Sequence, residues 1–396
     1  MIGPDTWEIM TLTERVNKRG PKRLLAIDGG GIRGVLALEV LRHIEALLKA
    51  QSGDDNFRLS DYFDYIAGTS TGGIIAAGLA VGKPVDEILK FYEEAGEQMF
   101  VKANLLRRLR YQYEDEPLAK KLKEVLGATT KFGSDEVKTL LLLVMRNATT
   151  DSPWPLSNNP YAKYNDPQRD DNNLNIPLWQ LVRASTAAPV YFPPEVIVLP
   201  SRDKKKEKEF VFVDGGVTMY NNPAFQMFLM ATLDCYWPRA PKGQQGWSTG
   251  ADQMLIVSVG TGTSPDVRQG LEPEDMNLLF NATSIPSALM FAALNEQDLL
   301  CRVFGDCLAG DPLDRELGSL MPGLGALGAG QKLFTYVRYN AELTRDGLDA
   351  IGCKQIKPEA VQKLDAVESI PDLRAVGAAV GKEKVRKDHF AKFPPV

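Results

Sequence analysis

The sequence predicts an α/β fold around a largely parallel sheet, and three segments carry that prediction. Residues 23–27 read as a short buried strand, 28–31 as a glycine turn, and 35–48 as a helix with apolar residues at 35, 36, 38, 40, 41, 44, 47 and 48. Residues 65–67 read as a second short strand, leading through 68–72 into a buried helix at 73–81. Residues 137–145 form a third, strongly apolar strand, preceded by helices at 85–98 and 117–126. Strand, turn and helix recurring in this order favour parallel pairing, because a parallel neighbour is reached through a crossover connection that is usually helical.

The remaining elements follow in order. Residues 147–177 are rich in Asn, Asp and Pro and read as a long loop, of a length usually tied to function. A helix is expected over 177–188. Two strands, 196–199 and 210–213, flank the charged turn 201–209 and read as an edge hairpin. Residues 221–235 read as a helix and 254–259 as another buried strand. Beyond Gly262 the pattern becomes mainly helical, with a glycine-rich stretch at 322–330 and a late strand at 334–339. The expected division is a catalytic core over 21–262 and a mainly helical C-terminal extension over 263–396, packed on the core and a candidate regulatory region.

Composition narrows the function classes. The 396 residues are 44% hydrophobic, enough for a large core. Net charge is -5 with both signs mixed along the chain, which lacks the basic face a nucleic-acid polymer would need. Cys235, Cys301, Cys307 and Cys353 fit neither a disulfide framework nor a zinc site and read as free thiols. No apolar run approaches the roughly 20 residues that span a bilayer. The expectation is a soluble, cytoplasmic protein whose membrane contact is peripheral. Residues 99–101 and 105–111 mix apolar and basic side chains; they suit an interfacial surface or lid, or leucines packed on the core beneath solvated arginines.

Three glycine-rich blocks carry the chemistry. Gly68-Thr69-Ser70-Thr71-Gly72 has the spacing of a nucleophile elbow, in which a sharp strand-to-helix turn tolerates only very small residues two positions either side of the serine. It also reads as an ordinary Gly/Ser/Thr turn. Asp28-Gly29-Gly30-Gly31-Ile32-Arg33-Gly34 closes the first strand and opens a helix, so its amides can turn toward an anion. Gly29, Gly31 and Gly34 equally match the dinucleotide-binding glycine pattern, which needs an acidic residue at the end of a second strand. Asp54 and Asp55 have the right separation but fall in a polar turn. Asp214-Gly215-Gly216 follows a strand and reads as a turn or as a catalytic carboxylate. His43 and His389 are the only histidines. His43 lies well along a helix and His389 in a charged tail, so a serine elbow here calls for a carboxylate base.

These blocks, in this order, resemble the patatin-like phospholipases, a family known for a Ser-Asp dyad without histidine. Ala184-Ser185-Thr186-Ala187-Ala188-Pro189, Tyr191-Phe192-Pro193-Pro194, Asn221-Asn222-Pro223 and Ser258-Val259-Gly260-Thr261-Gly262 resemble its other blocks. The resemblance implies a three-layer α/β sandwich. It makes Ser70 the nucleophile and Asp214 its base. Gly68 and Gly72 shape the elbow, and Gly29, Gly30, Gly31, Arg33 and Gly34 form the oxyanion hole, with the Arg33 side chain bracing the loop. The implied reaction is hydrolysis of a glycerophospholipid ester through an acyl-enzyme, with no metal or cofactor. The architecture is also similar to bacterial anti-phage effectors, cytosolic phospholipases that a cyclic dinucleotide switches on against the cell's own membrane. That likeness implies a cyclic dinucleotide activator. A constitutive lysophospholipase, a nucleotide-binding enzyme and a non-catalytic ligand sensor stay open, as does homo-oligomer formation.

Overall fold

A computed structural model of the chain describes residues 10–99, 116–189, 191–200, 207–264, 278–314, 316–321, 328 and 330–395. Nine strands form one sheet: β1 (Lys22–Ile27), β2 (Tyr65–Thr69), β3 (Leu140–Asn147), β4 (Ser152–Ser157), β5 (Glu195–Pro200), β6 (Glu207–Asp214), β7 (Met254–Val259), β8 (Asp306–Ala309) and β9 (Thr335–Tyr339). The helices are α1 (Leu12–Asn17), α2 (Gly34–Ser52), α3 (Leu59–Tyr62), α4 (Thr71–Ala80), α5 (Val85–Met99), α6 (Glu116–Leu126), α7 (Leu178–Ser185), α8 (Ala224–Thr232), α9 (Leu278–Phe304), α10 (Arg345–Ala350), α11 (Pro358–Val361) and α12 (Ile370–Lys384). No helix among the described residues is long and apolar enough to cross a membrane.

The strand order is β5-β6-β3-β2-β1-β7-β9-β8, with β4 also on β3. Five of the eight pairings are parallel and link β3, β2, β1, β7, β9 and β8. Successive strand residues point to opposite faces, and both faces are apolar and covered. Leu25, Ile27, Ile66, Leu141 and Val257 join a core that includes residues of α2, α4, α5 and α12. Leu24, Ala26, Tyr65, Leu142 and Ile256 join a second core with residues of α1, α8 and α9. The fold is therefore an α/β/α sandwich with a largely parallel centre, and burial on both faces explains why the strands read as continuous apolar runs.

Three departures from the sequence reading have physical causes. The stretch 147–177 is not all loop: it holds β4, which runs antiparallel to β3. Pro153 and Pro155 hide it, since proline argues against a strand unless that strand has a free edge, and β4 pairs with β3 alone. The chain after Gly262 contributes β8 as well as the expected late strand β9. β8 has four residues and a register shift between Cys307 and Ala309, too little for a pattern to show. β9 lies parallel to β7, so the sheet continues across position 262. The segment 100–111, read as an interfacial surface or lid, and most of 322–330 lie outside the described residues.

One feature of register positions the site. Leu142–Val144 of β3 pair with both β2 and β4, so those two strands lie on opposite edges of β3. Met145–Asn147 pair with both β4 and β6, which puts β6 on the β2 edge. Thr69 faces Val144 and Asp214 faces Met145. β2 and β6 thus run toward each other along one edge of β3 and stop head to head, bringing their ends together.

Candidate active site

Ser70 is the residue between β2 and α4. Its backbone sits at φ 55 and ψ -123, a region non-glycine residues rarely adopt. Such strain costs on the order of 1–3 kcal/mol and persists only where the surroundings enforce it. Here they do. A side chain on Gly68 would strike the backbone of Gly72, and one on Gly72 would strike the carbonyls of Ile27 and Asp28. The Ser70 N–H donates to Ser185 Oγ at 2.9 Å, and that hydroxyl donates to the Val144 carbonyl at 2.6 Å. Ser185, at the end of α7, therefore pins the turn to β3. The sequence block around Ser185 does not display this role, because a serine flanked by small residues gives no signal of its distant partners.

Ser70 Oγ donates to Asp214 Oδ2 at 2.6 Å. The other carboxylate oxygen accepts the Gly216 N–H at 2.7 Å, and the Asp214 N–H donates to the Ala187 carbonyl at 2.9 Å. Asp214 is 4% exposed. Burial pushes its pKa up to about 6, against the opposing pull of the hydrogen bonds from Ser70 and Gly216 and of the Arg183 charge. A carboxylate in this state is ionised at pH 7 yet basic enough to take a proton from a hydroxyl in a transition state.

The glycine loop faces the same point. Gly31 has φ 58, and a side chain there would strike the Leu364 carbonyl. The Gly29 amide donates to the Asn221 carbonyl at 3.1 Å, and the Arg33 amide to the Gly30 carbonyl at 3.2 Å. The Gly34 amide is taken by the carbonyls of Gly31 and Ile32. Among the described residues, the amides of Gly30 and Gly31 have no acceptor, so these two are the donors an incoming anion would meet. The Arg33 side chain reaches the Gln362 carbonyl at 3.5 Å, and burial pulls its pKa down to about 10. Beneath the loop, Asp28 makes a buried bidentate pair with Arg338 of β9, at 2.9 and 2.5 Å. Residues 310 positions apart give no sequence signal of such a pair.

Two groups of candidates lie elsewhere. His43 Nδ1 is 3.0 Å from the Glu39 carbonyl of its own helix, and His389 Nδ1 is 2.8 Å from the Tyr339 hydroxyl. Neither touches Ser70 or Asp214. Asp54 and Asp55 sit in the turn after α2, at the far end of that helix from the glycine loop. The end of the second strand, where a dinucleotide site wants its carboxylate, is occupied by the Ser70 turn. Among the described residues, no group of three or more His, Cys, Asp or Glu is placed to hold a metal ion.

The family model for patatin-like phospholipases matches residues 25–228, more than half of the chain, and the chain belongs to that family. It is 31% identical over 250 residues to Patatin-17 of Solanum cardiophyllum, covering 61% of each protein. It is 33% identical over 216 residues to the cGAMP-activated phospholipase of Vibrio cholerae, covering 51% of this chain and 56% of that one. The matches thus span less than two thirds of these relatives' length. Among solved structures, human GIVD cytosolic phospholipase A2 aligns with 94% of this chain and 62% of its own at a TM-score of 0.41 and 14% identity.

Proposed function

We propose that this chain is a phospholipid acyl hydrolase working through a Ser70–Asp214 dyad. The observation that carries the reading is the 2.6 Å hydrogen bond from a strained serine to a buried carboxylate. As Ser70 Oγ attacks the ester carbonyl, its proton passes to Asp214 Oδ2. The oxyanion is received by the amides of Gly30 and Gly31, each worth a few kcal/mol of barrier; Gly29, Arg33 and Gly34 shape the loop that presents them. Collapse of the intermediate returns the proton to the leaving alcohol and leaves the acyl group on Ser70, which water then releases as fatty acid.

The test is direct. A fluorophosphonate should modify Ser70, and the chain should release fatty acid from mixed phospholipid vesicles. Tight, stoichiometric binding of a nicotinamide dinucleotide at the glycine loop would favour the nucleotide-binding alternative. His43→Ala and His389→Ala should each keep most of the hydrolysis; a loss of about 10³-fold or more in either, the scale of removing a triad member, would reassign the base.

The proposal extends to control. A phospholipase meeting its own cell's membrane needs low basal activity, and the identity to the cGAMP-activated phospholipase supports switching by a cyclic dinucleotide. Moving a site from about 1% to about 99% competent takes roughly 5.5 kcal/mol of differential binding, which phosphate contacts to arginines and amides can supply. Vesicle hydrolysis is expected to be low alone and to rise with one member of a panel of cyclic di- and trinucleotides. Equal, high activity in every condition would remove the effector reading and leave a constitutive lysophospholipase.

A further inference from the structure

Asn221 lies just before α8, on a segment stitched to both halves of the site. The carbonyl of its neighbour Tyr220 accepts from Thr69 Oγ1 at 2.7 Å, and its own carbonyl accepts the Gly29 amide at 3.1 Å. Its side chain is held between the glycine loop and the Asp214 turn. A methyl on Gly29 would collide with Asn221 Oδ1 and sit 3.3 Å from Ser70 Cβ. A methyl on Gly216 would lie 3.0 Å from Asp214 Oδ1 and 3.2 Å from Asn221 Oδ1. The same carboxamide oxygen thus flanks Gly29, which neighbours Ser70, and Gly216, which neighbours the Asp214 carboxylate.

Asn221 is 4% exposed, and its Oδ1 is buried with no partner among the described residues. A buried acceptor left unmade is destabilising, and native proteins rarely keep one without a use. Nor does the side chain cap the following helix, which has Pro223 at its N-cap and no side-chain cap; the nearby local bond is from the Ala224 amide to Asn222 Oδ1 at 3.0 Å. Asn221 Oδ1 is also the wrong group for an oxyanion, which needs donors. What it suits is a hydroxyl arriving beside Ser70 and Asp214.

We infer that Asn221 orients the water that hydrolyses the acyl-enzyme, an inference that rests on the dyad reading above. Asn221 Oδ1 accepts one water O–H and Asp214 the other. The water oxygen bonds to the acyl carbon as its proton moves to Asp214. The Ser70 Oγ–acyl bond then breaks, Ser70 recovers the proton from Asp214, and the fatty acid leaves.

The test uses the full chain and p-nitrophenyl butyrate, an ester without a hydroxyl, so that loss of a substrate hydroxyl contact cannot imitate loss of the water. In Asn221→Leu, deacylation should become limiting. The trace should show a burst of about one p-nitrophenol per chain, a steady rate about 10²-fold lower, and a butyryl adduct on Ser70 by intact mass. Asn221→Asp keeps the acceptor and should restore much of the steady rate, with its acid limb moved to higher pH by the added negative charge. Among the described residues Asn221 Oδ1 makes no hydrogen bond that folding would miss, so thermal midpoints should hold. Loss without a burst, with fluorophosphonate labelling of Ser70 falling in parallel, would overturn the inference in favour of a structural role. Failure of Asn221→Asp to restore the rate would overturn it in favour of a donor role. A wild-type chain that neither turns over the ester nor takes the fluorophosphonate would overturn the dyad reading with it.

Discussion

Ser70→Ala is expected to lower fatty-acid release from phospholipid vesicles by about 10⁶-fold, the scale on which removing a serine nucleophile acts. The fold should survive. The contacts that hold the turn are made by the Ser70 backbone: its N–H to Ser185, and its carbonyl to the amides of Gly73 and Ile74 at 2.8 and 3.2 Å. Alanine keeps all of them. Among the described residues the hydroxyl bonds only to Asp214, and that carboxyl can answer the loss of a donor by taking a proton. Fatty-acid release measured beside a circular-dichroism melt separates the two effects. Undiminished hydrolysis in a folded variant would remove Ser70 from the reaction.

Asp214→Asn should cost at least about 10⁴-fold, since an amide cannot take the proton that Ser70 sheds. The wild type carries a second signature of the same group. Its pKa is pushed up to about 6 from an ordinary 3.8, and the working form is the ionised one. kcat/KM should therefore level off above about pH 7, reach half of its plateau near pH 6, and fall about tenfold per unit below about pH 5, as the protonated fraction grows. In Asp214→Asn the residual activity should lose that limb. A limb that stays at the same pH in the variant would belong to another group.

The sequence displays what local sterics dictate and conceals what distant strands bring together. The elbow is legible because its crowding is contained in five consecutive residues, and the flanking glycines are the only types that fit between Ile27, Asp28 and the first turn of α4. The central strands are legible because burial on both faces leaves unbroken apolar runs. The meeting of Ser70 with Asp214 could be expected from the family resemblance, but its cause lies in two strands ending head to head along β3, and no motif encodes that register. Ser185 was in view as part of a block, without its partners. Arg338 was invisible, because its strand follows the last recognisable block and its partner is at the other end of the chain. β4 was hidden by its prolines.

The Asp28–Arg338 pair also bears on the order in which the molecule comes into being. A growing chain has its elbow and its carboxylate once residue 214 has emerged, but the counter-ion beneath the glycine loop comes more than a hundred residues later. Until then Asp28 would face burial as a lone charge, a state that costs about 3–5 kcal/mol when one partner of a buried pair is missing. The finished glycine loop, and with it the Gly30 and Gly31 amides, therefore rests on β9 as much as on the blocks around Ser70 and Asp214.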